Sequence, residues 1–439
     1  MLPTTIPASF AQLLAGLRGC FTAPSFATFT WLATGLLCWP ELSTVTGMWQ
    51  GAGLAGRVHH DRAHRFFATA RWSTDQLGLA VARLVVAALV PDGQPVTVAV
   101  DDTLVKRSSR RLRGAWWHHD ATASRSGTLA WGHCWVVVGI LVRLPHTTRV
   151  VCLPVLARLW QPGDERPTRL ELAHQLIRLL AAAVGGRTID AVGDAAYASN
   201  SPVGLPGNVT LTSRLRKDAA LHQLPGPRQP GQRGRPRTKG PRLPSLATLA
   251  DLHTHDFTTV TVCRYGTTEQ VGVYRLRCLW YRAWGTRPVQ VVLVRDPGTT
   301  NGFDLALVST DLAATPAELV CRYAARWSVE QAFFDGKHLI GVGQARNRTP
   351  KAIQRTVPFT LACQTLLSVW YATTQTASGD LALHRRLRPW YRHKRTIATS
   401  DQLACFRRAC WPEFRHGQPQ PATSPKPIHD PATSDVTAA

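Results

Sequence analysis

The stretch YAARWSVEQAFFDGK carries Tyr323, Arg326, Glu330 and Lys337 at offsets of 0, 3, 7 and 14. At roughly 100° per residue, one α-helix through it places all four side chains in a stripe about 60° wide, with Glu330 ~10 Å along the axis from both Tyr323 and Lys337. A carboxylate flanked by two cations and a phenol can hold a metal ion with the first and grip phosphates with the others. The plainer alternative is an exposed Arg326–Glu330 pair worth ~0.2–0.5 kcal/mol. Trp327 and Phe334 project within ~40° of the same stripe. That predicts a partly covered groove, where unpaired charge is costly and usually serves a purpose.

Other acids invite the same chemistry. PVTVAVDDTL carries Asp101 and Asp102 near its end, and TIDAVGD ends in Asp194. Both segments are rich in β-branched residues and read as strands. In open α/β sheets active groups collect beyond the carboxyl ends of strands, so two strand-end aspartates can meet a glutamate from a packed helix. Three converging carboxylates repel one another unless cations stand between them. Hard oxygen ligands favour Mg²⁺ or Mn²⁺, and two such ions ~3.5–4 Å apart clamp the attacking and leaving oxygens of a phosphodiester displacement. Strand alternation sends Asp101 and Asp102 to opposite faces, so only one of them is a ligand.

The elements that must position these acids follow from periodicity. Residues 1–92 read as helical, with apolar spacing in FATFTWLATGLL and DQLGLAVARLVVAAL. Residues 93–345 switch to three strands in a row, the amphipathic helix RLELAHQLIRLLAAAV and a further strand, the pattern of a mixed α/β sheet with helices on its faces. That pattern is interrupted at about 214–300 by a Pro-, Gly- and Arg-rich segment and further strands, which read as a β-rich insertion. Residues 346–416 return to helix with a basic segment, HRRLRPWYRHKR. Residues 417–439, rich in Pro, Ser, Thr and Ala, are expected to be disordered.

Composition limits the partner. Lys and Arg outnumber Asp and Glu by 51 to 27 in 439 residues, giving a net charge of +24 and a pI near 10.6. A polyanion is implied, and nucleic acid is favoured over membrane because no apolar run approaches the ~18 residues a span needs. The opening MLPTTIPASFAQLLAGLRGCF lacks the basic start and apolar centre of a signal peptide. The ten cysteines contain no CxxC pair, so neither a zinc site nor a disulfide framework is expected. The expected compartment is the cytoplasm.

The spacing of Tyr323, Arg326, Glu330 and Lys337 is similar to the tyrosine–arginine–glutamate–lysine motif of bacterial insertion-sequence transposases of the DDE, ribonuclease-H-like type. VDDT and VGDAAY resemble that group's first and second aspartate motifs, and the resemblance spans about residues 90–350. It implies a ribonuclease-H-like α/β core with an N-terminal helical DNA-binding region. It further implies a metal-binding catalytic triad of Asp101, Asp194 and Glu330, the family pattern of Asp, any residue, Thr selecting Asp101 over Asp102. Tyr323, Arg326 and Lys337 would hold phosphates of the transposon end. Two Mg²⁺ or Mn²⁺ ions would serve cut-and-paste transposition: water cleaves one strand at the element's end, and the freed 3′-hydroxyl attacks target DNA. No small-molecule cofactor is implied. The partners would be double-stranded DNA and a second copy of the chain, in the nucleoid of a bacterium. Relatives often stack a flipped base on a tryptophan before the helix. Phe303 stands at that place here, which puts a hairpin intermediate in doubt.

Two basic patches complete the expected DNA contacts. Arg233 and Arg235 flank Gly234 as in the core of a minor-groove hook, but four residues are a weak match and a nonspecific phosphate-binding loop is the favoured reading. Arg385, Arg386, Arg388, Arg392, Lys394 and Arg395 interleave with Trp390 and Tyr391, a pattern suited to backbone contact and stacking. A stand-alone endonuclease and a non-catalytic DNA-binding descendant remain the rival readings.

Overall fold

The computed structural model describes residues 5–120, 123, 125, 127–198, 204–228 and 233–411. The expected disordered tail lies outside them. Five helices come first: α1 (Ala8–Ala15), α2 (Ala23–Cys38), α3 (Val45–Gly51), α4 (Asp61–Ala68) and α5 (Thr74–Leu89). Four strands follow, β1 (Val96–Lys106), β2 (Trp116–His119), β3 (Leu129–Arg143) and β4 (Val150–Trp160). Next come α6 (Arg169–Ala183), β5 (Ile189–Gly193) and β6 (Val209–Arg214). The segment read as an insertion contributes α7 (Leu246–Leu252), β7 (Thr258–Arg264), β8 (Thr267–Leu279), α8 (Tyr281–Trp284) and β9 (Pro288–Arg295). Then β10 (Leu305–Ser309) leads to α9 (Pro316–Ala325), α10 (Ser328–Asp335), α11 (Pro350–Thr374), α12 (Ala377–Leu387) and α13 (Thr399–Cys410).

The strands form one ten-stranded sheet in the order β2-β3-β1-β5-β6-β10-β9-β8-β7, with β4 also paired to β3. β5 runs parallel to β1 and β6, whereas β3 and β10 pair antiparallel, so the sheet is mixed as expected. The insertion strands do not form a separate sheet. β10 pairs β6 on one side and β9 on the other, so the backbone groups that an edge at β6 would leave open are satisfied by continuation.

The pleat of β1 divides the core. Val96, Val98 and Val100 face the layer of α5 and α6. Ala99 and Val105 face Val329, Ala332 and Phe333 of α10 and Val357 and Leu361 of α11. Helices therefore cover both faces. The two terminal helical regions, read as separate along the chain, pack on each other: Phe29, Phe66 and Phe67 surround Phe359. The buried Arg355 guanidinium donates to the carbonyls of Phe66, Phe67, Ala70 and Trp72, closing the C-terminal end of α4. Arg407 does likewise for the carbonyls of Leu37 and Trp39 at the C-terminal end of α2.

Gly35 and Gly51 permit the tightest crossing. A Cβ at Gly35 would stand 1.8 Å from the Met48 carbonyl oxygen, and one at Gly51 would stand 2.2 Å from that of Gly35.

Candidate active site

Asp101 lies on β1 with its carboxylate toward α10. Its Oδ2 accepts from Arg326 Nη1 at 2.8 Å, and its Oδ1 accepts from the Asp102 amide at 2.8 Å. Burial pushes the Asp101 carboxyl up to about 7, against the pull of Arg326 and with a further push from Asp194 and Asp102. Arg326 reaches Glu330 as well, through Nη2 to Oε1 at 3.3 Å. One guanidinium therefore bridges two of the three expected acids. The Arg326 Nε–H is buried and meets no acceptor.

Asp194 follows β5 and caps the short 3₁₀ turn Ala195–Tyr197. Its Oδ1 accepts from the amides of Ala196 at 2.9 Å and Tyr197 at 3.3 Å. Its charge acts on Asp101, Tyr323 and Arg326, which places it beside the same cluster. Tyr323 is half-buried against Arg326, whose guanidinium carbon lies 5.7 Å from the ring centroid. Burial raises the Tyr323 phenol, opposed by Arg326 and Arg214.

Asp102 points the other way, as alternation requires. It accepts from the Tyr197 hydroxyl at 3.1 Å and the Cys134 thiol at 3.1 Å, and pairs with Arg169 at 3.1 Å. Arg169 is the first residue of α6, set by a Thr168–Glu171 capping box. So Asp101 shares the face of Arg326 and Glu330, while Asp102 is bound to α6 and the turn after β5.

The helix carrying the motif departs from expectation. α9 is anchored by its own Thr315–Glu318 capping box and by Arg322, which pairs with Asp190 on β5 at 2.9 Å and with Asp311 at 3.1 Å. It ends at Ala325, and α10 begins at Ser328. The junction is tightened by i→i+3 bonds, from the amides of Arg326, Trp327, Val329 and Glu330 to the carbonyls of Tyr323, Ala324, Arg326 and Trp327. Such a turn advances about 120° per residue instead of 100°, which shifts the phase of the stripe while Arg326 still reaches both Tyr323 and Glu330. Beyond α10, Gly336–Ile340 form a π-helical turn, which shifts the phase again. Lys337 is thereby carried toward Lys106 at the end of β1 and Asp120 just after β2; burial first, then Lys106, lowers its ammonium pKa. The expected aromatic cover is absent as well. Trp327 and Phe334 are 44% and 56% exposed, and both border a cavity of about 1030 Å³ that none of the three acids lines.

The remaining residues singled out in the sequence lie apart from the acids or on the surface. Phe303 packs partly into the core with Lys217 6.0 Å above its ring. Arg233 and Arg235 are exposed. Arg386, Arg388, Arg392 and Arg395 are exposed around Trp390 and Tyr391. Arg385 donates to the Lys394 carbonyl, and the Lys394 ammonium is held by Asp401 at 2.5 Å, so these two are partly engaged within the protein. Sequence reasoning missed Tyr197 and Arg169. The signal for Tyr197 was in view, a tyrosine three residues after the aspartate of VGDAAY, whereas nothing local marked Arg169.

The chain matches the DDE superfamily endonucleases over residues 16–275, a span that contains Asp101 and Asp194 and stops short of Glu330. It belongs to that family. No curated protein matches it in sequence. Among solved structures it is similar to the piggyBac transposase in a synaptic complex with hairpin DNA, at 11% identity and a TM-score of 0.40, covering 94% of this chain and 78% of that one. That likeness is too distant to carry residue roles.

Endonucleases of this family typically use divalent metals. The acids of this chain fit such an ion in kind, being three carboxylates without sulfur or imidazole. They are not drawn together around one. Among the described residues no three acids, histidines or cysteines stand close enough to hold a metal. The cation between Asp101 and Glu330 is the Arg326 guanidinium.

Proposed function

We propose that this endonuclease is a cut-and-paste DNA transposase of the bacterial insertion-sequence type, acting on double-stranded DNA as a homodimer. The carrying observation is the Asp101–Arg326–Glu330 bridge beside Asp194, in a chain whose aspartates fall within the DDE match. Asp101, Asp194 and Glu330 would hold divalent cations on drawing closer together than they stand here, and bound ions would supply charge stabilisation at the phosphodiester and a hydroxide at neutral pH. Arg326, whose Nη1 and Nη2 bond Asp101 and Glu330, would place its positive charge beside an incoming phosphate. The Tyr323 ring, 5.7 Å from the Arg326 guanidinium, would pack beside the bound phosphate. The exposed arginines at 386, 388, 392 and 395 extend the phosphate-binding surface. With a net charge of +24, association with DNA is steered over a distance set by the salt concentration.

The test is a labelled duplex carrying the gene's own flanking end, incubated with Mg²⁺ or Mn²⁺ and a target plasmid. Wild type is expected to cut at the element boundary and join the 3′ end to the target. Asp194→Asn retains the side-chain oxygen that caps the turn and loses the charge, so it should bind the duplex and not cut. Cutting without joining would favour the stand-alone nuclease. Binding by both proteins with cutting by neither, under either metal, would favour a non-catalytic DNA-binding protein.

A further inference from the structure

Asp102 and Tyr197 form a link between the two catalytic aspartates. Tyr197 is 3% exposed and sits three residues after Asp194. Its amide donates to Asp194 Oδ1 at 3.3 Å, while its hydroxyl crosses to β1 and donates to Asp102 Oδ1 at 3.1 Å. Asp102 is in turn covalently joined to Asp101 and donates its own amide to Asp101 Oδ1 at 2.8 Å. The path from one acid to the other is thus amide, phenol, carboxylate, amide, each step a direct hydrogen bond or covalent link.

Each end of this path is fixed from outside. Arg169 and Cys134 hold the other oxygen of Asp102, at 3.1 Å each. Ser213 on β6 donates to the Asp194 carbonyl at 2.7 Å, gripping the turn from the opposite side. Gly193 is required by the same geometry: a Cβ there would stand 2.8 Å from the Tyr197 Cβ. β5 supplies rigid pairing as far as Gly193, but Asp194 itself lies past the ladder, on a turn that the strand does not control. Catalytic groups need placement to within about 0.5 Å, and a three-residue 3₁₀ turn does not hold that alone.

We propose that Tyr197 is a positioning residue, setting the spacing of Asp194 from Asp101 through its hydroxyl on Asp102, and that the second aspartate of the DD pair acts as the strut for that contact. This rests on the nuclease reading above. It gives Asp102 a role on the face of β1 away from the acids, distinct from metal binding.

The test is Tyr197→Phe, which deletes one oxygen and keeps the ring in the core. In metal-free protein, hydrogen exchange at the Ala196 and Tyr197-position amides should quicken by about tenfold, with the β1, β3 and β5 amides unchanged. In the cleavage assay the Mg²⁺ concentration for half-maximal rate should rise severalfold while the affinity for duplex stays within about twofold. Asp102→Asn combined with Tyr197→Phe should shift the metal requirement by less than the sum of the two single effects.

Unchanged exchange at the turn would overturn the proposal, as would a quickening spread across the sheet, which would mark Tyr197 as core packing alone. An unaltered metal requirement in a cleaving Tyr197→Phe protein would overturn it too. Failure of wild type to cleave would remove the nuclease reading on which the proposal rests. That result is distinguishable, because the exchange experiment needs neither metal nor cleavage.

Discussion

Glu330→Gln separates chemistry from stability at the proposed site. The Glu330 side chain is 48% exposed, and its hydrogen bond is the 3.3 Å contact with Arg326 Nη2. Half-exposed ion pairs contribute ~0–1 kcal/mol, and glutamine keeps one oxygen able to accept from the same nitrogen. Arg326 also retains its 2.8 Å bond to Asp101, where the side chains are 14% and 17% exposed, so the variant leaves no buried charge alone. The unfolding free energy in denaturant should therefore stay within about 1 kcal/mol of wild type. Cleavage should respond very differently. Removing one charged ligand from a metal-assisted displacement withdraws several kcal/mol of transition-state stabilisation, and about 4 kcal/mol corresponds to a rate loss of roughly a thousandfold. Duplex affinity, measured at one salt concentration, should change little. Cleavage within tenfold of wild type would refute the catalytic role of Glu330. A stability loss above about 2 kcal/mol would refute the view that its carboxylate is free of structural duty.

Three further outcomes follow from the packing and charge. Arg355→Met leaves the carbonyls of Phe66, Phe67, Ala70 and Trp72 without their donor, so we expect a loss of about 3–5 kcal/mol in denaturant unfolding, with amide exchange quickening first in α4. His133 is buried, and desolvation lowers its imidazole pKa to about 4, with Arg107 adding to the fall and the Arg113 carbonyl opposing it. The unfolded chain, titrating near 6.5, binds more protons between pH 6.5 and 4, so this group's contribution is full above 6.5 and is lost toward pH 4 at up to about 1.4 kcal/mol per unit. A His133→Gln variant should show a shallower pH slope of stability in that window. Replacing Arg386, Arg388, Arg392 and Arg395 with Gln should reduce the slope of log affinity against log salt by about 0.9 for each phosphate contact removed. Lys394→Gln should change it less, because Asp401 already holds that ammonium.

The sequence by itself determined the kinds of element and the kinds of acid. Apolar alternation in VTVAVDDTL and 3.6-residue spacing in RLELAHQLIRLL are local properties, and they placed β1 and α6. The parity of a strand likewise ensured that Asp101 and Asp102 part company. Which of the two looks toward Arg326 was a tertiary decision, because it depends on α10 packing through Val329, Ala332 and Phe333 on one face of β1 and on α6 covering the other. The stripe from Tyr323 to Lys337 was legible only on the assumption of an unbroken helix. Hydrogen bonds of 3₁₀ type at Arg326–Glu330 and a π turn at Gly336–Ile340 changed the angle per residue, turning Trp327 and Phe334 outward and sending Lys337 to Lys106. The β-rich segment was legible as strands, but not as a continuation of the main sheet, since pairing partners lie far apart in the chain: β6 at Val209–Arg214 meets β10 at Leu305–Ser309. Local periodicity reports how a segment can bury its own side chains. The bridge of Arg326 between Asp101 and Glu330, separated by 225 and 4 positions, exists only where β1 and the start of α10, far apart in the chain, are held at one place by the core beneath them.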